Sequence, residues 1–407
     1  MTNAPTRPLP ATRHPGNAGE VFVAFLRLGV TSFGGPIAHL GYFRDAFVVR
    51  RKWLSETAYA DLVALCQFLP GPASSQVGMA LGLQRAGLAG MLAAWTAFTL
   101  PSAIVLVAFA YGAAALGDVT GSGWLLGLKA AAVAVVAQAV LSMARTLTPD
   151  AKRATIAVLG MAAILVVPWA PMQLVVIAAA AVVGLIWLRE PPRAADDEAA
   201  FELRWGRSAG VVCLGLFAML LAALPIALAL TGDPTVRLAD VFTRSGALVF
   251  GGGHVVLPLL EQATVPTGLV SHDAFLAGYG ATQAMPGPLF TFSAYLGSVM
   301  QSGPSGVLGA AIALVAIFLP GALLVLGALP FWSALRGARL VRRALMGVNA
   351  GVVGILAAAL YDPVFTEGIG SARALAVAAA AFVALIAWKA PPWAVVVACG
   401  VLGYLVL

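Results

Sequence analysis

Two short motifs occur twice in this 407-residue chain, in the same order and at a nearly constant spacing. Phe25-Leu26-Arg27-Leu28-Gly29-Val30-Thr31-Ser32-Phe33-Gly34-Gly35 aligns with Phe242-Thr243-Arg244-Ser245-Gly246-Ala247-Leu248-Val249-Phe250-Gly251-Gly252. Further on, Gln67-Phe68-Leu69-Pro70-Gly71-Pro72 aligns with Gln283-Ala284-Met285-Pro286-Gly287-Pro288, and Gly87, Gly90 and Pro101 align with Gly306, Gly309 and Pro320. The offset stays between 216 and 219 residues, so the copies are collinear. The chain is therefore expected to be two copies of one structural unit packed on each other.

The solvent of that unit follows from its surface chemistry. Hydrophobic residues make up 61% of the chain and charged residues only 10%, against roughly 25% charged in a soluble domain. So little polar surface cannot cover a water-soluble body, and lipid is the expected solvent. Runs of about spanning length lie at 88–113, 124–145, 209–231, 304–330, 341–361 and 372–388, with shorter ones at 154–168, 172–188 and 392–407. The expected class is an all-α polytopic membrane protein. Its expected parts are a polar N-terminal tail (1–19), an N-terminal repeat (20–188), a charged cytoplasmic linker (189–207), one extra transmembrane helix (208–232) and a C-terminal repeat (238–407). No small-residue cleavage site follows the first apolar run, so no cleaved signal peptide is expected.

Charge sets the relative orientation of the copies. Arg44, Asp45, Arg50, Arg51 and Lys52 follow the first Phe-Gly-Gly motif, where the second copy has Glu261, His272 and Asp273. After the long helix the asymmetry reverses, with Asp118 in the first copy against Arg336, Arg339, Arg342 and Arg343 in the second. Basic loops stay in the cytoplasm, so the two repeats are expected to be inverted, with the extra helix supplying the flip. This places the N-terminus inside and the C-terminus outside. Clustering of the basic residues at loops also accounts for the net charge of +7 without a nucleic-acid partner.

Segments 54–69 and 73–84 are too short to span singly and are expected to form a re-entrant hairpin at Pro70-Gly71-Pro72; 273–285 and 289–302 do the same at Pro286-Gly287-Pro288. Phe33-Gly34-Gly35 and Phe250-Gly251-Gly252-Gly253 mark two further breaks. Irregular backbone at membrane depth survives only against protein or a water-filled cavity, and half-helix N-termini present free N–H groups suited to an anion. Each break taken singly is equally explained as a kink or close-packing point; four in symmetric positions favour an anion site between the repeats.

Arg27 and Arg244 each lie six residues before Phe-Gly-Gly inside an apolar run, where an arginine costs roughly 2.5–3.5 kcal/mol on insertion scales. They are expected to be anion ligands or carboxylate partners, with snorkelling to the headgroups as the alternative. Gln67 and Gln283, with Ser74, Ser75, Thr291 and Ser293, are candidate neutral donors. His254 and Asp61 are candidate proton carriers. Lys129 and Arg85 are expected to serve as an interfacial anchor and a topology determinant. Cys66, Cys213 and Cys399 lie in apolar runs without CxxC spacing, so neither disulfide nor metal is indicated. There is no P-loop, HExxH or GxSxG, so neither ATP-driven transport nor an intramembrane hydrolase is expected.

Phe33-Gly34-Gly35-Pro36, Val48, Trp53, Pro70-Gly71-Pro72, Gly82 and Gly90, in this order, resemble the chromate ion transporter family. Phe250-Gly251-Gly252-Gly253-His254 and Gln283-Ala284-Met285-Pro286-Gly287-Pro288 resemble its C-terminal half. The resemblance runs from about residue 20 to the C-terminus and matches the long-chain, two-domain branch. It implies a protein of the bacterial inner membrane that exports chromate, confers chromate resistance, depends on the proton-motive force, meets sulfate as a competitor and needs no cofactor. A different oxyanion, such as sulfate or molybdate, is the alternative cargo. One departure is internal: Pro36-Ile37 stands where the second copy has Gly253-His254.

Overall fold

The computed structural model describes residues 16–33, 35–115, 123–167, 172–189, 205–250, 256–332 and 338–407. Among these residues there is no strand; every regular element is helical. In lipid a lone strand edge would leave N–H and C=O groups without partners, whereas a helix satisfies its own. The first half comprises α1 (Ala18–Thr31), α2 (Gly35–Phe43) running into a π-type turn, α3 (Glu56–Phe68), α4 (Ala73–Ala115), α5 (Gly123–Leu147), α6 (Ala151–Val166) and α7 (Met172–Trp187). A single helix follows, α8 (Arg207–Thr231). The second half comprises α9 (Pro234–Ala247), α10 (Val256–Thr264), α11 (His272–Gln283), α12 (Phe292–Ser298), α13 (Gly306–Ala328), α14 (Arg339–Ala359), α15 (Ala372–Ile386) and α16 (Pro392–Val406).

Helix starts recur in pairs across the halves because the capping residues do. Asn17 caps α1 and Asp233 caps α9, each accepting from backbone N–H groups of the first turn at 2.7–3.1 Å. Ser55 and Ser271 cap α3 and α11, and Asp150 and Ser371 cap α6 and α15. Each cap satisfies an orphan donor and is worth about 1 kcal/mol. Breaks recur as well. The α1–α2 and α9–α10 junctions fall at the Phe-Gly-Gly motifs, and the chain also breaks at both Pro-Gly-Pro turns. Helix α4 is two helices meeting at Ala86 and Gly87, where the backbone leaves helical geometry. Of the motif glycines, Gly34, Gly251, Gly252 and Gly253 lie outside the described residues, as does His254.

Among the described residues, five helices are long and apolar enough to cross a membrane: α4, α5, α8, α13 with its terminal turn, and α14 with its π-type extension. Four of them are repeat-equivalent pairs, α4 with α13 and α5 with α14; α8 has no counterpart. Only 6% of the most apolar window of α8 is buried, against 72% for α13, so α8 lies at the periphery with most of its surface available to lipid. The chain is a multi-pass membrane protein.

The halves are interlocked. The hairpin α6–α7 of the first half packs on α14 of the second, and the hairpin α15–α16 of the second packs on α5 of the first. Small residues make both crossings. A Cβ on Gly127 would lie 2.0 Å from the Cys399 carbonyl oxygen, and one on Gly347 would lie 2.0 Å from that of Ala180. Such close backbone approach is the main packing device where lipid supplies no hydrophobic drive between helices. These four hairpin helices have 15 or 16 residues, about 24 Å at most. Each is shorter than a ~30 Å hydrocarbon core. A second pair of crossings joins α1 to α4 at Gly29, against Ala97 and Phe98, and α9 to α13 at Gly246, against Ile317.

Candidate functional site

The four breaks meet at one crossing between the halves. The Gly71 N–H donates to the Val249 carbonyl at 2.7 Å, and the Gly287 N–H donates to the Ser32 carbonyl at 2.9 Å. Ser32 and Val249 are equivalent positions, each directly before a Phe-Gly-Gly motif. Each Pro-Gly-Pro turn thus docks on the mouth of the other half's break. Both glycines have positive φ, +121° and +98°, a region that an L side chain enters only with strain. Each also presses on the other half's long helix beside its proline. Gly71 lies against Gly321, and Gly287 against Ser102 and the Phe98 carbonyl.

Polar side chains collect here although the surroundings are apolar. Gln76 is fully buried; its Nε2 donates to the Pro70 carbonyl at 3.0 Å and to the Gly321 carbonyl of the other half at 3.2 Å. His39 is also fully buried, its ring edge-on to Phe98 at 5.2 Å. Its Nε2 lies 3.3 Å from the Ser32 carbonyl and its Nδ1 3.4 Å from the Ser74 hydroxyl. A carbonyl only accepts, so Nε2 carries the proton and Nδ1 accepts from Ser74. The Ser32, Ser75 and Thr99 hydroxyls and the Gln283 amide Nε2 are buried without a partner among the described residues. Buried donors without partners are rare and expensive, and these four can all serve an anion. The Gln76 Oε1 is likewise unpartnered and would repel one.

Several expected ligands stand elsewhere. Arg27 is on the exposed face of α1 among Val23, Leu26 and Val30, with no hydrogen bond or ion pair from its guanidinium to a described residue. Arg244 forks onto Asp240, Nε to Oδ1 at 2.8 Å and a terminal nitrogen to Oδ2 at 2.5 Å. Asp240 is only 4% exposed. Of the two roles expected for Arg244, the structure displays the carboxylate partner. Gln67 is exposed on α3, whereas Gln76 is buried on α4. Thr291 and Ser293 spend their hydroxyls on the Pro288 and Phe290 carbonyls. Asp61 is half-buried and accepts from the Trp332 indole N–H at 2.8 Å, joining α3 to the other half. Phe33 packs on Trp393, with ring centroids 5.8 Å apart. Lys129 is not an interfacial anchor: it is buried on α5 and ion-paired with Asp273 at the start of α11. Arg85 forks onto Glu20 and covers the Trp53 ring.

His39, Gln76 and Thr99 were not expected at the site. None has a like residue at the aligned position in the second copy (Val256, Phe292 and Phe318), so comparing repeats passes over them. Their one signal is a polar residue inside an apolar run.

If Arg244 serves chiefly to pair Asp240, Arg244→Ala leaves a buried carboxylate alone and transport falls at least tenfold. The double variant Asp240→Asn/Arg244→Ala then recovers most of it, because the orphaned charge is gone. Initial rates in membranes matched for protein content check this; equal loss in single and double variants means Arg244 acts on the cargo directly.

The family model described as chromate transporter matches residues 19–185 and 236–404, one copy per half. A chromate transport protein of Pseudomonas aeruginosa is 27% identical over 429 aligned residues, covering 100% of this chain and 95% of that protein. A probable chromate transport protein of Synechococcus elongatus is 28% identical, covering 83% and 82%. A chromate transport protein of Cupriavidus metallidurans is 26% identical, covering 84% and 81%. No solved structure matches the chain.

Proposed function

The chain belongs to the chromate transporter family, and on that premise we propose that it is a secondary active transporter exporting chromate across the bacterial inner membrane, with sulfate as a competitor. The observation that carries this reading is the reciprocal docking of the two Pro-Gly-Pro turns on the opposite halves, at Val249 and Ser32. A dianion leaving water needs fixed donors. The elements that meet there carry the unpartnered Ser32, Ser75 and Thr99 hydroxyls and the Gln283 amide. The two repeats are inverted in the membrane, the N-terminus is cytoplasmic and the C-terminus periplasmic. Rocking one half against the other about the crossing exposes the site to either side in turn. The inside-negative membrane potential favours outward movement of a dianion.

The proton of the cycle is held by His39, which touches both Ser32 and Ser74. A dianion beside it favours the imidazolium, so anion and proton bind cooperatively. Affinity is therefore greatest at low pH and weakens as pH rises. KM for chromate exchange, expressed per chromate dianion, is therefore expected to rise with pH. His39→Gln keeps exchange and loses that slope. An unaltered slope in His39→Gln would remove the proton from this residue.

Expression in a chromate-sensitive host tests the function. The protein is expected to lower cell-associated chromate and raise tolerance. Improved growth on limiting sulfate without any change in chromate content would instead identify an importer of another oxyanion.

A further inference from the structure

A polar cavity lies between the halves, next to the first break. It has a volume of about 430 Å³ and is lined by Phe33, Tyr42 and Gln138 from the first half and by Lys389, Pro392 and Trp393 among residues of the second. Lys389 stands in the turn between α15 and α16 with φ at +53°, one of two non-glycine residues with positive φ among the described residues. Its ammonium makes no hydrogen bond or ion pair with a described residue. No carboxylate among the described residues lines the cavity. Lys389 is exposed at this cavity, and with no counter-ion among the described residues its ammonium is available to an anion. Tyr42 and Gln138 line the same cavity and carry neutral donors.

We propose that this cavity is a vestibule for a tetrahedral oxyanion dianion, with Lys389 as its cation and Tyr42 and Gln138 as its hydrogen-bond donors. The proposal rests on the reading of the chain as an oxyanion transporter. The volume exceeds that of a bare oxyanion several-fold, since a water takes about 30 Å³, so the anion enters still partly hydrated. Phe33, its ring tilted against that of Trp393 with centroids 5.8 Å apart, is part of the cavity wall. The next residue back, Ser32, already belongs to the crossing through Gly287. The vestibule is therefore one residue from the central site, and its single positive charge raises the local anion concentration without holding the anion tightly. It also supplies, from the other half, the cation that neither Arg27 nor Arg244 brings to the breaks.

The test uses the full-length protein in everted membrane vesicles with labelled chromate. Lys389→Gln is expected to raise KM five- to tenfold, with Vmax within twofold of the parent and a weaker dependence of KM on ionic strength. Lys389→Arg is expected to stay within twofold of the parent. An unchanged KM in Lys389→Gln, or a loss confined to Vmax, overturns the vestibule. Lys389→Cys guards against a variant that merely assembles poorly. The native cysteines are buried, so modification with an aminoethyl thiosulfonate restores an ammonium at this position within one membrane preparation. Recovery of KM supports the proposal; no recovery overturns it. If the parent carries no chromate, the transport reading fails by itself. The vestibule is then decided by whether sulfate slows modification of Lys389→Cys by an anionic thiosulfonate: slowing supports it, and an unchanged rate overturns it.

Discussion

Gly287→Val is expected to reach the membrane at near-parental levels and to transport chromate at under a tenth of the parental rate. Gly287 has φ of +98°, which costs an L residue about 1–3 kcal/mol and a β-branched one towards the upper end. Its new Cβ would lie 2.8 Å from the Ser102 hydroxyl, 3.3 Å from the Phe98 carbonyl oxygen and 3.4 Å from that of Gly29. The hydroxyl can rotate away, but the two backbone oxygens belong to the α1–α4 crossing and cannot. Relief therefore comes by withdrawing the Pro-Gly-Pro turn, which breaks the Gly287–Ser32 bond. Gly71→Val should behave alike, because its Cβ would lie 3.0 Å from Gln76 Nε2 and 3.2 Å from the Gly321 Cα. Gly112→Ala is the control: a Cβ there meets nothing within 4 Å. Its transport should be unchanged.

The second large effect belongs to the ion pair between Lys129 and Asp273. Lys129 is 7% exposed, and the pair joins α5 of one half to α11 of the other. Removing one partner of a buried pair leaves an uncompensated charge, at about 3–5 kcal/mol. Asp273 keeps 38% side-chain exposure, so water screens part of this loss and ~3 kcal/mol is the better expectation. Lys129→Met should therefore lower the melting temperature of the detergent-purified protein by several degrees. The double variant Lys129→Met/Asp273→Asn should recover most of it. If the double variant is as unstable as the single, the lysine stem matters for packing and the charge pair does not.

The breaks were legible because glycine and proline act locally. Pro-Gly-Pro cannot continue a helix, and positive φ at Gly71 and Gly287 needs no knowledge of the partner. Helix starts were similarly local, fixed by residues such as Asn17, Ser55 and their counterparts. The arginines were misplaced for a different reason. In α1 the buried stripe runs through Val21, Ala24, Phe25, Leu28 and Gly29, with the period of 3.6 that defines one face. Arg27 falls off that stripe, and Arg244 falls off the matching one at Phe242, Ser245 and Gly246. The helical period carried this information, but matching the two repeats by motif alone did not use it. Lys129 could not have been placed from its own helix. Residues 127–136 are buried all round, and its partner comes from the other half of the chain. His39 and Lys389 were invisible to the repeat comparison because each occurs in one copy only, and an asymmetric pair of halves is what a transporter with one vestibule and one proton carrier requires.

Uptake of labelled chromate into everted vesicles energised by respiration, compared between the parent and Gly287→Val at matched protein content, tests the account most directly. Energy-dependent uptake by the parent that excess sulfate suppresses, and almost none by Gly287→Val, is the expected result. Equal uptake by both proteins would contradict a cargo site at the crossing of the two Pro-Gly-Pro turns, and no uptake by the parent would contradict chromate export itself.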